Sequence, residues 1–389
     1  MSDSERLSVV MLPDYTRRNP YQERLIRALD EQGVAVDLMD AGIMCPILRS
    51  WYHNSRPDVI HLHWVTAFIG TDRWLLAALL GLRTLFELLI VRVLGTDVVW
   101  TVHNLRAHES HTPRVDLLTR MGWARLSTHL IVHCESAIDE VCQTYRLSDA
   151  YVDRISVIPH GHFIDSYPTV TSADAARDTL GIHPNDRVLL YFGLIRPYKN
   201  VPRLIHTFRR LDPDPSSKLL IVGNPWNDDL QQQVSDAAGD DTRVMTRLEF
   251  IPDEDVARYL LASDAMVLPF DSILTSGSAI LAMSYGRALV IPDVGCPAEL
   301  ISDRGGITYD HDRETGLENA LIRALDETTP LGMMGEENRR LATQMDWNDI
   351  AASTREVYDR EHVHSSDTSS PTEEIDRDVT TDSSGDLTT

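Results

Sequence analysis

The stretch Leu268–Leu300, LPFDSILTSGSAILAMSYGRALVIPDVGCPAEL, decides the fold. An apolar run ends at Pro269, a polar loop follows, and a helical pattern begins near Gly277. The apolar run Ala288–Pro292 comes next, so the segment reads strand–loop–helix–strand. Ser276, Gly277 and Ser278 stand at the helix start, where free backbone N–H groups and the positive end of the dipole form an anion site. Gly277 lets a phosphate approach the backbone and two hydroxyls add donors. A plain Ser-capped helix has the same residues.

The rhythm extends outward in both directions. Apolar runs at Val188–Phe192, Lys218–Val222, Arg247–Ile251, Ala265–Phe270 and Gly306–Tyr309 alternate with helical patterns. An earlier series comprises Leu7–Leu12, Val34–Met39, Val59–Trp64, Val98–Val102, His129–His133 and Ile155–Pro159. The polar stretch 166–186 separates them. Two parallel sheets follow, each in its own α/β domain. The first helix is well punctuated: Asn19 caps it, Pro20 opens it, Gln22 completes the cap and Gly33 ends it. Trp347, Ile350, Ala351 and Tyr358 recur at helical spacing in a terminal helix with one apolar stripe. Residues 365–389 hold seven acidic groups against Arg377 and few apolar ones, a composition that predicts disorder.

Across 389 residues there are 59 acidic groups and 36 Lys+Arg, a formal charge of −23. That field repels nucleic acid and opposes passive adhesion to an anionic membrane. Only Lys199 and Lys218 are lysines. An acidic, lysine-poor chain suits a salt-rich, halophilic cytosol. Cys45, Cys134, Cys142 and Cys296 show no C-x-x-C pairing and, without a secretory segment, read as reduced thiols in a cytoplasm. Trp74–Leu94 is nearly apolar, broken by Arg83, Glu87 and Arg92; Arg83 and Glu87 pair on one face. It reads either as a buried core helix or as a helix that meets lipid.

No G-x-G-x-x-G follows the first strand and no G-x-x-x-x-G-K-[ST] occurs, which argues against dinucleotide dehydrogenases and P-loop NTPases. The loop after Gly193 in YFGLIRPYKN carries Arg196 and Lys199, two cations beyond the carboxyl end of a strand, well placed for a diphosphate. A lysine kept where arginine is favoured nearly everywhere hints at a need for a compact charge. His103 ends the run Val98–Val102, and His61 and His63 share a strand face. With His108 and His111 they invite a metal reading, but their spread lacks the compact spacing of a metal site.

These residues resemble GT-B glycosyltransferases of the group-1, family-4 type. The second half does so through FGLIRPYKNVPRLIHTF, KLLIVGNP, LEFIPDEDVARYLLASDAMVLPF and Ser276–Leu300. The first half resembles a subset of that family through NPYQ (Asn19–Gln22), DVIHLHW (Asp58–Trp64), VVWTVHNLRAHE (Val98–Glu109) and VIPHGHFIDSYP (Val157–Pro168). The resemblance implies two Rossmann-like domains facing a cleft: an acceptor-binding domain over residues 1–168 and a nucleotide-sugar-binding domain over 169–346. A helix over 347–364 would cross back to the first, ahead of the acidic tail.

It also implies a hexosyltransferase acting on a nucleotide-diphosphate sugar and a glycan, polysaccharide or lipid-linked acceptor. The place of work would be the cytoplasm, at the inner face of the membrane with peripheral contact. Arg196, Lys199, Ser276, Gly277, Ser278 and Glu299 would hold the donor, and His103 would lie near its sugar. Asp14 and His160 would face the acceptor. No metal or other cofactor is implied. The two family glutamates fall at Ile273 and Leu281, so both carboxylates are absent, and Asp271 is the nearest substitute. Their loss also motivates an alternative, a non-catalytic nucleotide-sugar-binding partner of another transferase. A sugar-nucleotide epimerase ranks below both, for want of acid/base carboxylates in the cleft.

Overall fold

A computed structural model describes residues 6–367 apart from 17, 18, 43, 108, 109, 169–171 and 303, with side chains to residue 360. The first half runs β1 (Leu7–Leu12), α1 (Pro20–Glu31), β2 (Val34–Leu38), α2 (Pro46–His53), β3 (Val59–Leu62), α3 (Thr66–Ile69) and α4 (Trp74–Val93). It continues through β4 (Asp97–Thr101), α5 (Pro113–Leu126), β5 (His129–Val132), α6 (Ser136–Tyr145) and β6 (Ile155–Val157). The second half runs α7 (Ala173–Leu180), β7 (Arg187–Phe192), α8 (Val201–Arg210), β8 (Ser217–Val222), α9 (Asp228–Ala238), β9 (Val244–Arg247) and α10 (Asp253–Ala262). Then come β10 (Ala265–Val267), α11 (Gly277–Ser284), β11 (Ala288–Pro292), α12 (Gly295–Leu300), β12 (Gly306–Tyr309), α13 (Gly316–Leu325), α14 (Leu331–Thr343) and α15 (Trp347–Asp367).

Among the described residues there are two six-stranded parallel sheets, ordered β2-β1-β3-β4-β5-β6 and β12-β11-β10-β7-β8-β9. The inner strands are buried on both faces, as helix-covered parallel sheets require: β3, β4 and β5 show no exposed residue, whereas the edge strands β2 and β9 do. In both sheets the strand order reverses direction at a point where loops from neighbouring strands part, and there a ligand crevice opens beyond the carboxyl ends.

Several sequence readings shift. The strand expected at Arg247–Ile251 ends at Arg247; Leu248–Ile251 leave the sheet and carry Phe250 to the surface. Asn19 caps α1 by accepting from the Tyr21 N–H at 2.9 Å. Gln22 does not complete that cap, because the Asn19 N–H already donates to the Tyr15 carbonyl. Gln22 instead accepts from the Tyr15 N–H (2.7 Å) and donates to the Pro13 carbonyl (2.9 Å). α15 leaves the second domain and packs along α1, where Trp347, Ile350, Ala351, Val357 and Tyr358 join the core around Tyr21 and Leu25. It runs to Asp367, three residues into the segment expected to be disordered; the rest of that segment lies outside the described residues.

Of the two readings left open for Trp74–Leu94, that of a fully buried core helix does not hold. Its inner face packs on α5, with Gly81 against Thr119 and Gly122 of α5 against Leu85. Arg83 pairs with buried Glu87 at 3.0 Å, and Glu87 also accepts from the N–H groups of Ile47 and Leu48. The outer face is bare: Leu75, Leu79, Leu82, Phe86 and Val93 are 60–78% exposed and form one stripe.

Candidate functional site

Tight glycine contacts build the floor. Gly193, after β7, has φ +133°, and a Cβ there would stand 2.8 Å from Ser278 Oγ and 3.8 Å from Lys199 Nζ. Gly223, after β8, has φ +151° and would put a Cβ 1.8 Å from the Gly193 carbonyl oxygen. The two loops therefore touch backbone to backbone. Lys199 Nζ lies over the Phe270 ring at 5.6 Å, and the Arg196 guanidinium lies over Trp226 at 4.2 Å. α11 begins at Gly277, and Ser276 caps it by accepting from the Ala279 N–H at 3.2 Å. Lys199, the Gly193 backbone and Ser278 thus converge, with Arg196 beside them. The capping reading of Ser276 holds at the same time.

Arg196, Tyr198, Lys199 and Trp226 form one wall of a cleft of about 570 Å³; Tyr15, Trp64, Asn104 and Arg106 of the first domain form the other. From Gly193 and Leu194 a hollow of about 230 Å³ continues past Asn224 to Ile251 and Asp253, with Phe250 (68% exposed) at its rim. Tyr15, Trp64, Trp226 and Phe250 were not singled out in the sequence. The one available signal was an aromatic residue next to each loop that ends a strand.

The histidines of the first domain come together behind Trp64. Ile158 offers a carbonyl, which only accepts, so His133 carries its proton on Nδ1 (2.8 Å). His133 Nε2 then accepts from His103 Nδ1 (3.4 Å), and His103 Nε2 accepts from His63 Nδ1 (3.1 Å). His63 Nε2 ends the chain as a buried acceptor without a partner. His61 bonds the Tyr358 hydroxyl (2.6 Å) and Thr101 (2.8 Å), and His160 donates to the Gly161 carbonyl (2.7 Å). Burial pushes His61 and His160 down to about 3 and His133 to about 4. Burial and neighbouring histidines hold His63 and His103 well below the usual range. The rings bond to one another and do not converge on a point; His111 is exposed beside Asp72, and His108 lies outside the described residues. Among the described residues the carboxylate–histidine set close enough to share an ion is Asp310, His311 and Asp312, its two carboxylates exposed.

His103 is therefore buried, both ring nitrogens occupied, with its face on Trp64 at 4.6 Å and 12°. His160 lies under Tyr21 at 4.8 Å. Asp14 turns onto its own loop, accepting from the Thr16 N–H and hydroxyl. Asp271 accepts from the Asn200 side chain. Leu281, the position at which the resemblance places a family glutamate, is buried in the second core.

Glu299, on α12, reaches to the first domain. Its carboxylate accepts from the N–H groups of Glu135 (3.0 Å) and Ser136 (3.1 Å) at the start of α6. Burial opposes its charge, but the bonds from Ser136 and Glu135 outweigh that and hold the carboxyl below its ordinary value. Beside it Cys134 and Cys296 are joined by a disulfide, with Cα atoms 5.4 Å apart. This corrects the reading of four reduced thiols. The partners are 162 residues apart, and only the docking of α12 on α6 brings them together. Cys45 and Cys142 are free thiols.

Residues 186–327 match the family model of glycosyl transferases group 1. Over 252 residues the chain is 31% identical to GDP-mannose:glycolipid 4-beta-D-mannosyltransferase of Xanthomonas campestris pv. campestris, covering 61% of this chain and 62% of that protein. It thus spans less than two thirds of that relative's length. It is 25% identical over 312 residues to D-inositol 3-phosphate glycosyltransferase of Corynebacterium glutamicum (77% and 72% covered). HepE of Anabaena, solved with UDP and glucose, superposes with a TM-score of 0.68 at 16% identity, covering 91% of this chain and all of that one. Sucrose-phosphate synthase of Thermosynechococcus elongatus gives 0.70 at 18% (92% and 100% covered). The fold is GT-B, and within its second domain residues 186–327 are similar to the glycosyl transferases group 1.

Proposed function

We propose that this protein transfers a hexose from a nucleotide-diphosphate sugar to a hydroxyl of a lipid-linked glycan. The observation that carries the reading is the convergence of Lys199, the Gly193 backbone and Ser278, flanked by Arg196, on one wall of the interdomain cleft. The acceptor oxygen bonds the anomeric carbon as the bond to the phosphate oxygen breaks, and the nucleoside diphosphate leaves with the hydroxyl's proton on its freed phosphate oxygen. Charge develops on the phosphate oxygens, where fixed cations and helix N–H groups stabilise it; in this reading they take the part a metal would otherwise play. The two walls position the acceptor and exclude water. The name of the mannosyltransferase relative specifies GDP-mannose and a glycolipid, which supports this donor class and this acceptor class.

Incubation with GDP-mannose or UDP-glucose and a lipid-linked glycan in molar KCl should release nucleoside diphosphate. Tight nucleotide binding without release from any donor would instead support the non-catalytic partner. Lys199→Ala should weaken nucleoside diphosphate binding by about 1–3 kcal/mol, the cost of a lost charge-assisted bond, read by calorimetry. Unchanged affinity would move the phosphate site elsewhere.

The acceptor's lipid points to the exposed stripe of α4, and a membrane surface is the occupant we assign to it. Thr71 and Asp72 line the cleft immediately before Trp74, so the stripe begins at the cleft mouth. Residues 73–126 carry seven arginines and four carboxylates, 7 − 4 = +3, within a chain of −23. That local charge suits the anionic inner face of a membrane despite the repulsive total. α4 is long and apolar enough to span. Its inner face is committed to α5 and α2, so it lies in the interface, where each inserted Leu or Phe contributes about 1.5–3 kcal/mol. Wild type should sediment with phosphatidylglycerol-containing vesicles, and L79E/F86E should stay in solution with nucleotide affinity intact. A wild type that ignores vesicles would refute the assignment.

A further inference from the structure

We propose that Tyr15 and Trp64 form the seat of the acceptor's terminal sugar ring. The inference rests on the transferase reading and adds the chemistry of its second substrate. Both rings line the cleft across from Arg196 and Lys199, with centroids 4.7 Å apart and planes at 41°. A pyranose presents a face of C–H bonds that packs on the electron-rich face of an aromatic ring, and its edge hydroxyls need polar partners. Asn104 and Arg106, on the same wall, supply them.

The support beneath Trp64 is unusual. Its ring stacks on His103, and His103 is fixed by bonds from both nitrogens to His63 and His133. A buried chain of imidazoles with an unpartnered acceptor at its end costs more than an apolar filling of the same volume. What it secures is one orientation of the ring stacked on it, so His63 and His133 are positioning residues for Trp64. Tyr15 is anchored separately, its N–H donating to fully buried Gln22. The hollow with Phe250 at its rim lies beyond Gly193 and shares neither ring. A hexose ring, free of phosphate, is the chemical class that an aromatic pair with amide, guanidinium and carboxylate neighbours (Asn104, Arg106 and Asp72) takes.

The test uses the full chain in molar KCl with n-octyl β-D-glucopyranoside, mannopyranoside and galactopyranoside as probes. Saturation-transfer NMR should show contact with the ring C–H protons of at least one glycoside in wild type. Trp64→Leu should lose at least four fifths of that signal, and Trp64→Phe should recover most of it. Nucleoside diphosphate affinity, measured on the same samples, reports folding and the opposite wall, and should stay within twofold. Ring contact in Trp64→Leu equal to wild type, or none in wild type with any glycoside, overturns the proposal. So does a tenfold loss of nucleotide-sugar affinity in Trp64→Leu with glycoside contact untouched, since the seat would then belong to the donor. Failure of wild type to bind nucleoside diphosphate would instead sink the transferase reading, while ring contact would still support a sugar seat.

Discussion

Lowering the pH from 7 to 5 should strip most of the stability from the first domain. His61, His133 and His160 are buried neutral, with folded values of about 3, 4 and 3 against 6.5 when exposed. Their folded values lie below the unfolded one, so the unfolded chain binds more protons and stability falls as pH drops through 6.5. At pH 5 each costs about 2 kcal/mol, and the three together about 6 kcal/mol. His63 and His103 act in the same direction. A domain stable by roughly 5–15 kcal/mol cannot absorb that easily. The loss begins near pH 6.5 and continues to about pH 3–4, where the folded rings also charge. Urea melts followed by circular dichroism at pH 7, 6 and 5, in constant molar KCl, read the effect directly. Equal midpoints at pH 7 and 5 would show that the cluster opens to solvent.

Gly223→Ala should cost roughly 3 kcal/mol of stability and abolish nucleotide binding together. The new methyl would sit 1.8 Å from the Gly193 carbonyl oxygen, and φ +151° is open to glycine and strained for alanine. Relief requires the loops after β7 and β8 to part, which carries Gly193 away from Ser278 and Lys199. Gly332→Ala is the control: nothing lies within 4 Å of its Cβ position, and it stands in the first turn of α14, so alanine should be neutral or stabilising by up to about 1 kcal/mol. A Gly223→Ala variant that melts like wild type and binds nucleotide would mean the two loops separate freely.

Much of the frame was legible before any coordinates. β1, β11 and β12 begin and end where their apolar runs do, because a parallel strand buried on both faces has to be apolar throughout. The pairing of Lys199 with the start of α11 was legible too, since both lie just past strand ends that parallel topology puts on one edge. What stayed hidden depends on tertiary approach. The histidine chain draws on β3, β4 and β5, and no spacing within one strand announces it. The Cys134–Cys296 bond needed α12 to dock on α6. Leu248–Ile251 is as apolar as a strand, yet leaves the sheet and puts Phe250 at the rim of the hollow beyond Gly193. Apolar composition could not say whether α4 faces a core or a membrane.

α15 gives the polypeptide an order of assembly. The Tyr358 hydroxyl that holds His61, and the Trp347 ring that covers Tyr21, are supplied from the far end of the chain. A ribosome that has finished the first sheet has made a module whose interior still lacks a wall. Folding from the N-terminus, the usual course during synthesis, must here pause until residues 347–358 have been made, and the nascent first domain waits as a partly open shell.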